Sequence, residues 1–237
     1  MHNSNYSKIE NNLAKLPEEI REFNNLLLST NWENVDFNVL EGNYNSSLSS
    51  QIFTNAHREL IHKLVKLVPE WKRVIGCKQH ITHSFCLDIH ILLVVKKIME
   101  QEQFKKLNNY YKLITLWSAL LHDIKKNENM VDPDHPLKGA AIADIVLNRL
   151  GFDNYFIKSV YKLVRYHPLI GFIAIEKLKL DIPDIIKKID DEKIVDLFII
   201  FSIADIKAVK SKDAFFNSTI DTSIKRIHAE IFNHYKI

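Results

Sequence analysis

Glycine and proline are scarce in this chain of 237 residues, with 5 and 6 copies. A many-stranded sheet draws on those two residues for most of its turns, so their scarcity excludes that class and favours a few long helices. Cysteine is nearly absent too. Cys77 and Cys86 are the only two, too few for a disulfide scaffold and in keeping with a reducing cytosol. No apolar run reaches about 18 residues without a charge, and the polar stretch Met1 to Glu10 is unlike a signal peptide. Nor is there a strong charge imbalance. A net charge of +3 does not by itself imply nucleic acid or an anionic membrane as a partner. What is present is apolar: 46% of the residues are hydrophobic, enough to bury a core. The expectation is a soluble cytoplasmic all-α protein, with the oligomeric state left open.

Ile9, Leu13, Leu16, Ile20, Phe23 and Leu27 have helical spacing, interrupted at Pro17. Residues 31–50 mix Asn, Ser and Gly with Trp32, Phe37 and Tyr44, and read as a connector held down by its aromatics. Residues 51–68 are helical again. His57 and His62, five apart and off one face, read as surface residues. These segments make residues 1–66 an N-terminal helical extension with an Asn/Ser-rich connector, ahead of a unit over 67–237 that closes in a C-terminal helix. Within that unit, 76–85 is irregular and carries His80 and His83. Helices are predicted over about 87–103, 109–123, 138–150 (stopped by Gly151), from the capping Asp153 to Tyr166, 171–180, 193–209 and 218–235, the last with exposed His228 and His234. His135 falls in a polar loop over 127–136, between two prolines.

The stretch Ala119-Leu120-Leu121-His122-Asp123-Ile124-Lys125-Lys126 sets an imidazole beside a carboxylate where a strongly apolar segment ends. Burying such a pair unpartnered costs several kcal/mol, and a metal ion offsets that cost. His122 and Asp123 are therefore candidate ligands. Further groups lie in similar settings: His90 inside an apolar helix, Asp205 ending the run from Leu197, and His135 and His167 between them. Imidazole nitrogens and carboxylate oxygens are the donor set for one or two divalent ions such as Zn, Mn, Fe or Mg. The spacing, 32 residues from His90 to His122, 13 to His135, 32 to His167 and 38 to Asp205, places one ligand group per element, the way a helical bundle builds a site in its core. Taken singly, each has a plainer reading. His90 alone is a hydrogen-bonded core histidine, His135 and His167 are loop and helix-end residues, and Lys126 is a solvated lysine favoured by a helix C-terminus. Their joint occurrence in this order carries the metal reading.

With those residues in place, the chain resembles the HD superfamily of metal-dependent phosphohydrolases. His122-Asp123-Ile124-Lys125-Lys126 is similar to the HD-I-G-K motif. More closely, Pro69-Glu70-Trp71, Arg73-Val74-Ile75-Gly76, Gln79 and His83 through His90 resemble the start of the HD domain of the bifunctional PII uridylyltransferase/uridylyl-removing enzymes. Asp134-His135 with Gly139-Ala140, Leu163 through His167, and Ala204 through Ala208 follow in the same order, so the likeness covers residues 67–215. Lys125 stands where that motif has Gly, and Tyr166-His167 where it has paired histidines. No Gly-Ser nucleotidyltransferase signature occurs in 1–66, so uridylyl transfer is not expected.

The resemblance implies an HD-domain helical bundle in which His90, His122, Asp123 and Asp205 hold one metal, with Asp123 bridging to a second on His135 and His167. It implies hydrolysis of a small phosphorylated or nucleotide substrate, either a nucleotidyl phosphodiester or a phosphomonoester. Asp123 and Lys126 would act on the phosphate, Arg165 and Lys207 are weaker candidates for contact, and Asp88 and His83 would support the ligands. Two alternatives remain: a di-iron oxygenase, which HD-type scaffolds with six His/Asp ligands also include, and a nucleotide-binding module without turnover.

Overall fold

The computed structural model describes residues 12–42, 48–80, 83–130, 132–174 and 182–209, together with 222, 226, 229 and 230. The helices are α1 (Glu18–Ser29), α2 (Asn55–Leu67), α3 (Leu87–Met99), α4 (Glu102–Lys105), α5 (Asn109–Leu121), α6 (His135–Leu150), α7 (Asn154–Tyr166), α8 (Pro168–Ala174), α9 (Ile182–Ile189) and α10 (Glu192–Ala208). Two 3-10 turns, Phe37–Leu40 and Pro69–Val74, join them. No strand occurs among the described residues, so the fold is all-α. No helix among them is long and apolar enough to cross a membrane.

Three helices are apolar nearly all round and therefore lie at the centre. Every residue from Leu87 to Val95 of α3 is buried, as is every residue from Leu113 to Leu121 of α5. On α10, Leu197, Phe198, Ile200, Phe201 and Ala204 are buried. α10 packs on α3, α5, α7 and α8, and α7 lies against α5 and α6. Side chains cap these helices: Asn108 accepts from the N–H of Tyr111, Asp153 from Tyr155 and Phe156, and Asp191 from Ile194. Gly151, at φ 85°, takes the left-handed turn that ends α6.

The N-terminal helices join the same core. Phe23 of α1 meets Trp117 of α5 at a ring separation of 5.3 Å, and the Trp117 indole donates to Asn24 at 2.9 Å. Trp32 and Phe37 of the connector are buried, as their aromatic character predicts. Lys96 reinforces that segment by donating to the carbonyls of Trp32, Glu33 and Val35 at 2.9, 3.0 and 2.9 Å. Tyr44 lies outside the described residues.

Several local expectations need correction. His57 is buried, not exposed: Thr54 N–H donates to its Nδ1 at 3.1 Å and its ring meets the edge of Trp32 at 4.5 Å. It closes the first turn of α2 in the role that Glu or Gln plays in a capping box. His62 is exposed as expected. The helix predicted over 87–103 is two, α3 and α4, broken at Glu100-Gln101. His135 is the first residue of α6 rather than a loop residue, because Asp134 takes the N-cap position and Pro136 suits the first turn, whose N–H groups have no partner inside the helix. For the same reason Pro183 fits the first turn of α9, a helix that was not anticipated. The helix predicted over 171–180 is described only to Ala174, as α8. The predicted C-terminal helix is described only at 222, 226, 229 and 230, which are helical, and His228 and His234 lie outside the described residues.

Candidate metal centre

α5 delivers His122 and Asp123 with little freedom. Its buried threonine and serine hydroxyls are satisfied within the helix, Thr115 donating to the Tyr111 carbonyl at 2.9 Å and Ser118 to that of Ile114 at 2.8 Å. The end of the helix is braced from outside by the Trp71 indole, which donates to the Leu120 carbonyl at 2.9 Å. On its other side α6 approaches through Gly139, whose missing Cβ would lie 2.8 Å from the His122 carbonyl oxygen.

Asp123 stands at the middle of the cluster. Its Oδ1 is 3.1 Å from His135 Nε2 and 3.7 Å from His167 Nε2. Its Oδ2 is 3.5 Å from His122 Nε2, 3.9 Å from His90 Nε2, and accepts from Lys126 at 2.9 Å. Asp205 Oδ1 lies 3.1 Å from His90 Nε2 and 3.5 Å from His122 Nε2. The fold thus brings together all six residues named from the sequence as ligands, from α3, the end of α5, α6, the end of α7, and α10. Their donor atoms form three overlapping sets: His90, His122 and Asp123; His122, His167 and Asp205; and Asp123, His135 and His167.

Hydrogen bonding fixes how the histidines face. Nδ1 of His122 lies 2.7 Å from the Ala119 carbonyl oxygen, Nδ1 of His167 lies 2.8 Å from that of Val164, and Nδ1 of His135 contacts that of Asp132. A carbonyl oxygen only accepts, so each Nδ1 carries the proton, and each Nε2 of a neutral ring turns a lone pair inward. Those lone pairs meet acceptors. His135 and His167 set Nε2 against Nε2 at 3.4 Å, and His122 Nε2 and Asp123 Oδ1 are buried with no hydrogen bond. Such a convergence is costly unless a cation lies among the atoms, and the set fits a divalent metal.

The titration behaviour follows from the same crowding. Burial raises the Asp123 carboxyl, but Lys126, His122 and His135 outweigh it and hold the group well below the usual carboxylate range. Burial acts the same way on Asp205 and is overcome by His122 and His90. His122 is pushed down by burial, yet the two carboxylates raise it above an ordinary histidine, so a proton stands in for the cation. His167 shows the opposite outcome: burial, then the charge of His122, lowers it to about 3.

Lys126 contacts both Asp123 and Gln79. The Gln79 Oε1 accepts from its ammonium at 2.8 Å, and the Gln79 Nε2 donates to the Phe85 carbonyl at 3.1 Å. Nothing in the sequence pointed to this pairing, because Gln79 lies 47 residues away in an irregular segment. His83 lies beside His90, with ring centroids 5.9 Å apart, and Asp88 is buried in the first turn of α3. Among the described residues, neither Arg165, stacked over Tyr166, nor the exposed Lys207 touches the cluster.

An all-helical bundle around a buried His/Asp cluster fits a metal-dependent phosphohydrolase in general. The chain is similar to bifunctional uridylyltransferase/uridylyl-removing enzymes. It is 27% identical to that of Ruegeria pomeroyi over 183 residues, covering 70% of this chain and 20% of the relative. With that of Cereibacter sphaeroides the figures are 26% over 158 residues, 60% and 17%. With that of Vibrio atlanticus they are 28% over 168 residues, 63% and 19%. The chain thus spans about a fifth of the length of the curated relatives it matches. No protein-family model matches it.

Proposed function

We propose that this protein hydrolyses a phosphate ester at a centre holding one or two divalent ions, and that the ester is a nucleotidyl phosphodiester. The observation that carries the reading is the position of Asp123, whose two oxygens face two different sets of histidine nitrogens. His90, His122, Asp123 and Asp205 would hold one ion, and Asp123, His135 and His167 a second. Ions bound there would polarise a phosphoryl oxygen and lower the pKa of a water molecule.

The remaining work falls to the chain itself. The Nδ1-to-carbonyl bonds fix the orientation of three imidazoles and aim their Nε2 atoms inward, so the donors are ordered before any ion arrives. Lys126 places an ammonium beside the Asp123 carboxylate, where it would offset negative charge on the phosphate. The burial of His90, His122, Asp123 and His167 keeps bulk water from most of the site and strengthens both effects. The choice of a nucleotidyl diester rests on the printed activity of the relatives, uridylyl removal.

The test is metal analysis of protein purified without added metal, followed by assay of bis(p-nitrophenyl) phosphate and of nucleotidyl esters, with Asp123→Ala alongside. Metal-dependent hydrolysis that is lost in the variant is the expected result. A variant with full activity would reject the site. Bound iron with substrate-dependent oxygen uptake would replace hydrolysis with oxygenase chemistry. A metal-loaded protein inert to every ester but stabilised by one of them would be a binding module.

A further inference from the structure

Solvent reaches the cluster at only a few points among the described residues. The side chains of His90, His122, Asp123 and His167 are 0–4% exposed, while Asp205, His135 and Lys126 reach 13–14%. An ester therefore approaches past one of those three. At Lys126 the surface opens into a cavity of about 490 Å³, lined by Arg73, Ile75, Gly76, Cys77, Lys126 and Glu128. Its volume falls in the range of small-molecule sites.

The lining has a specific chemistry. Lys126 already serves Asp123 and Gln79 on the side of the cluster. Arg73 follows the buried Trp71 on the 3-10 turn Pro69–Val74, whose indole braces the end of α5, so its backbone is fixed relative to the centre. Its guanidinium makes no hydrogen bond or ion pair among the described residues. Two cations against the single carboxylate of Glu128 leave the cavity net positive. A guanidinium with no internal partner presents its forked donors to a ligand oxyanion.

We propose that this cavity seats one substituent of the ester and that Arg73 selects substrates with a second anionic group, a phosphate or carboxylate, on that substituent. The proposal rests on the reading of the centre as a phosphohydrolase. The substrate class narrows accordingly to phosphodiesters with a second negative charge away from the scissile phosphorus. A simple neutral alkyl or aryl ester uses only the cluster and Lys126.

Two chromogenic esters with the same leaving group test this: the p-nitrophenyl ester of thymidine 5′-monophosphate and the same ester bearing a 3′-phosphate. The metal-loaded wild type should prefer the 3′-phosphorylated ester in kcat/KM by roughly tenfold or more, the scale of one charge-assisted hydrogen bond. In Arg73→Ala that ratio should fall to about one, chiefly through KM, and Arg73→Lys should recover part of it. Hydrolysis of both esters with a ratio near one in the wild type, or a ratio that Arg73→Ala leaves intact, overturns the proposal while the phosphohydrolase reading stands. If neither ester is hydrolysed, that reading fails, and binding decides about the cavity. Arg73-dependent preference for thymidine 3′,5′-bisphosphate over thymidine 5′-monophosphate sustains it, and equal binding of the two removes it.

Discussion

A methyl group on Gly139 would lie 2.8 Å from the carbonyl oxygen of His122, so α6 and the end of α5 meet with no room for a side chain. The contact is with backbone, which cannot rotate away. Gly139→Ala should push the two elements apart, costing about 1–3 kcal/mol as overpacking does. It should also weaken metal binding, since His135 sits four residues earlier on α6 and must reach Asp123. A denaturant midpoint and a metal titration on the same variant check both effects.

Asp123→Asn separates charge from shape. The amide keeps the volume but no longer supplies an anion to both donor sets, so metal content should fall and turnover should drop by two orders of magnitude or more, on the order of 3 kcal/mol. The metal-free protein should also lose stability, because the buried anion that compensates Lys126 and His122 is gone. Elemental analysis and circular dichroism distinguish the two outcomes.

Lys126 and Gln79 form a unit that can be taken apart. Gln79→Ala leaves the buried Phe85 carbonyl without its donor and should cost about 1–3 kcal/mol of stability. It should also lower kcat, because Lys126 loses one of its two anchors. Paired with Lys126→Ala in a double-mutant cycle, the effects on kcat should be strongly non-additive. Simple additivity would show that Gln79 does not act through the lysine.

Metal affinity should rise with pH. The two carboxylates hold a proton on His122 above its ordinary value of 6.5, and a divalent ion must expel that proton to bind. The apparent affinity should therefore gain up to about tenfold per pH unit over the range where His122 is still protonated, then level off. Isothermal titration across buffers of different ionisation enthalpy measures the proton released. Affinity independent of pH would contradict the assignment of His122 as a ligand.

Stability of the metal-free protein should fall on acidification. Burial holds His83 and His167 at about 3, against 6.5 for a free imidazole. Between those values the unfolded chain binds protons that the folded chain refuses, so stability present above pH 6.5 is lost as pH falls toward 3. Asp123 and Asp205 add to the loss at the acid end, below about 3.8. His122 has the reverse sign, its contribution being lost as pH rises through its raised value. His83→Gln should flatten the acid slope without touching a proposed ligand, as chemical denaturation at stepped pH would show.

The helices and the six-residue cluster were readable because their signals are local or come in a fixed order. The apolar runs of α3, α5 and α10 mark central helices, and each carries or ends at ionisable groups that a dry core does not tolerate alone: His90, His122-Asp123 and Asp205. His57 escaped that logic. Asn55, Arg58 and Glu59 around it are polar, and its burial depends on Trp32 arriving from a separate segment. Gln79 escaped for the same reason, since only the folded chain brings it to Lys126. Pro136 reads as part of a polar loop and no helix is expected around Pro183, yet both sit in the first turn of a helix, because proline suits a first turn as well as a loop.

The hydrogen bond from Trp117 to Asn24 bears on how this protein can be cut. Trp117 lies five residues ahead of His122 on the same helix, and Phe23 and Asn24 of α1 form the wall behind it. A fragment beginning at residue 67 would bare that indole and leave its N–H without the acceptor it has in the whole chain. The smallest piece that can present His122 with its geometry intact therefore reaches back to α1, although no residue of α1 comes near the metal ligands in sequence.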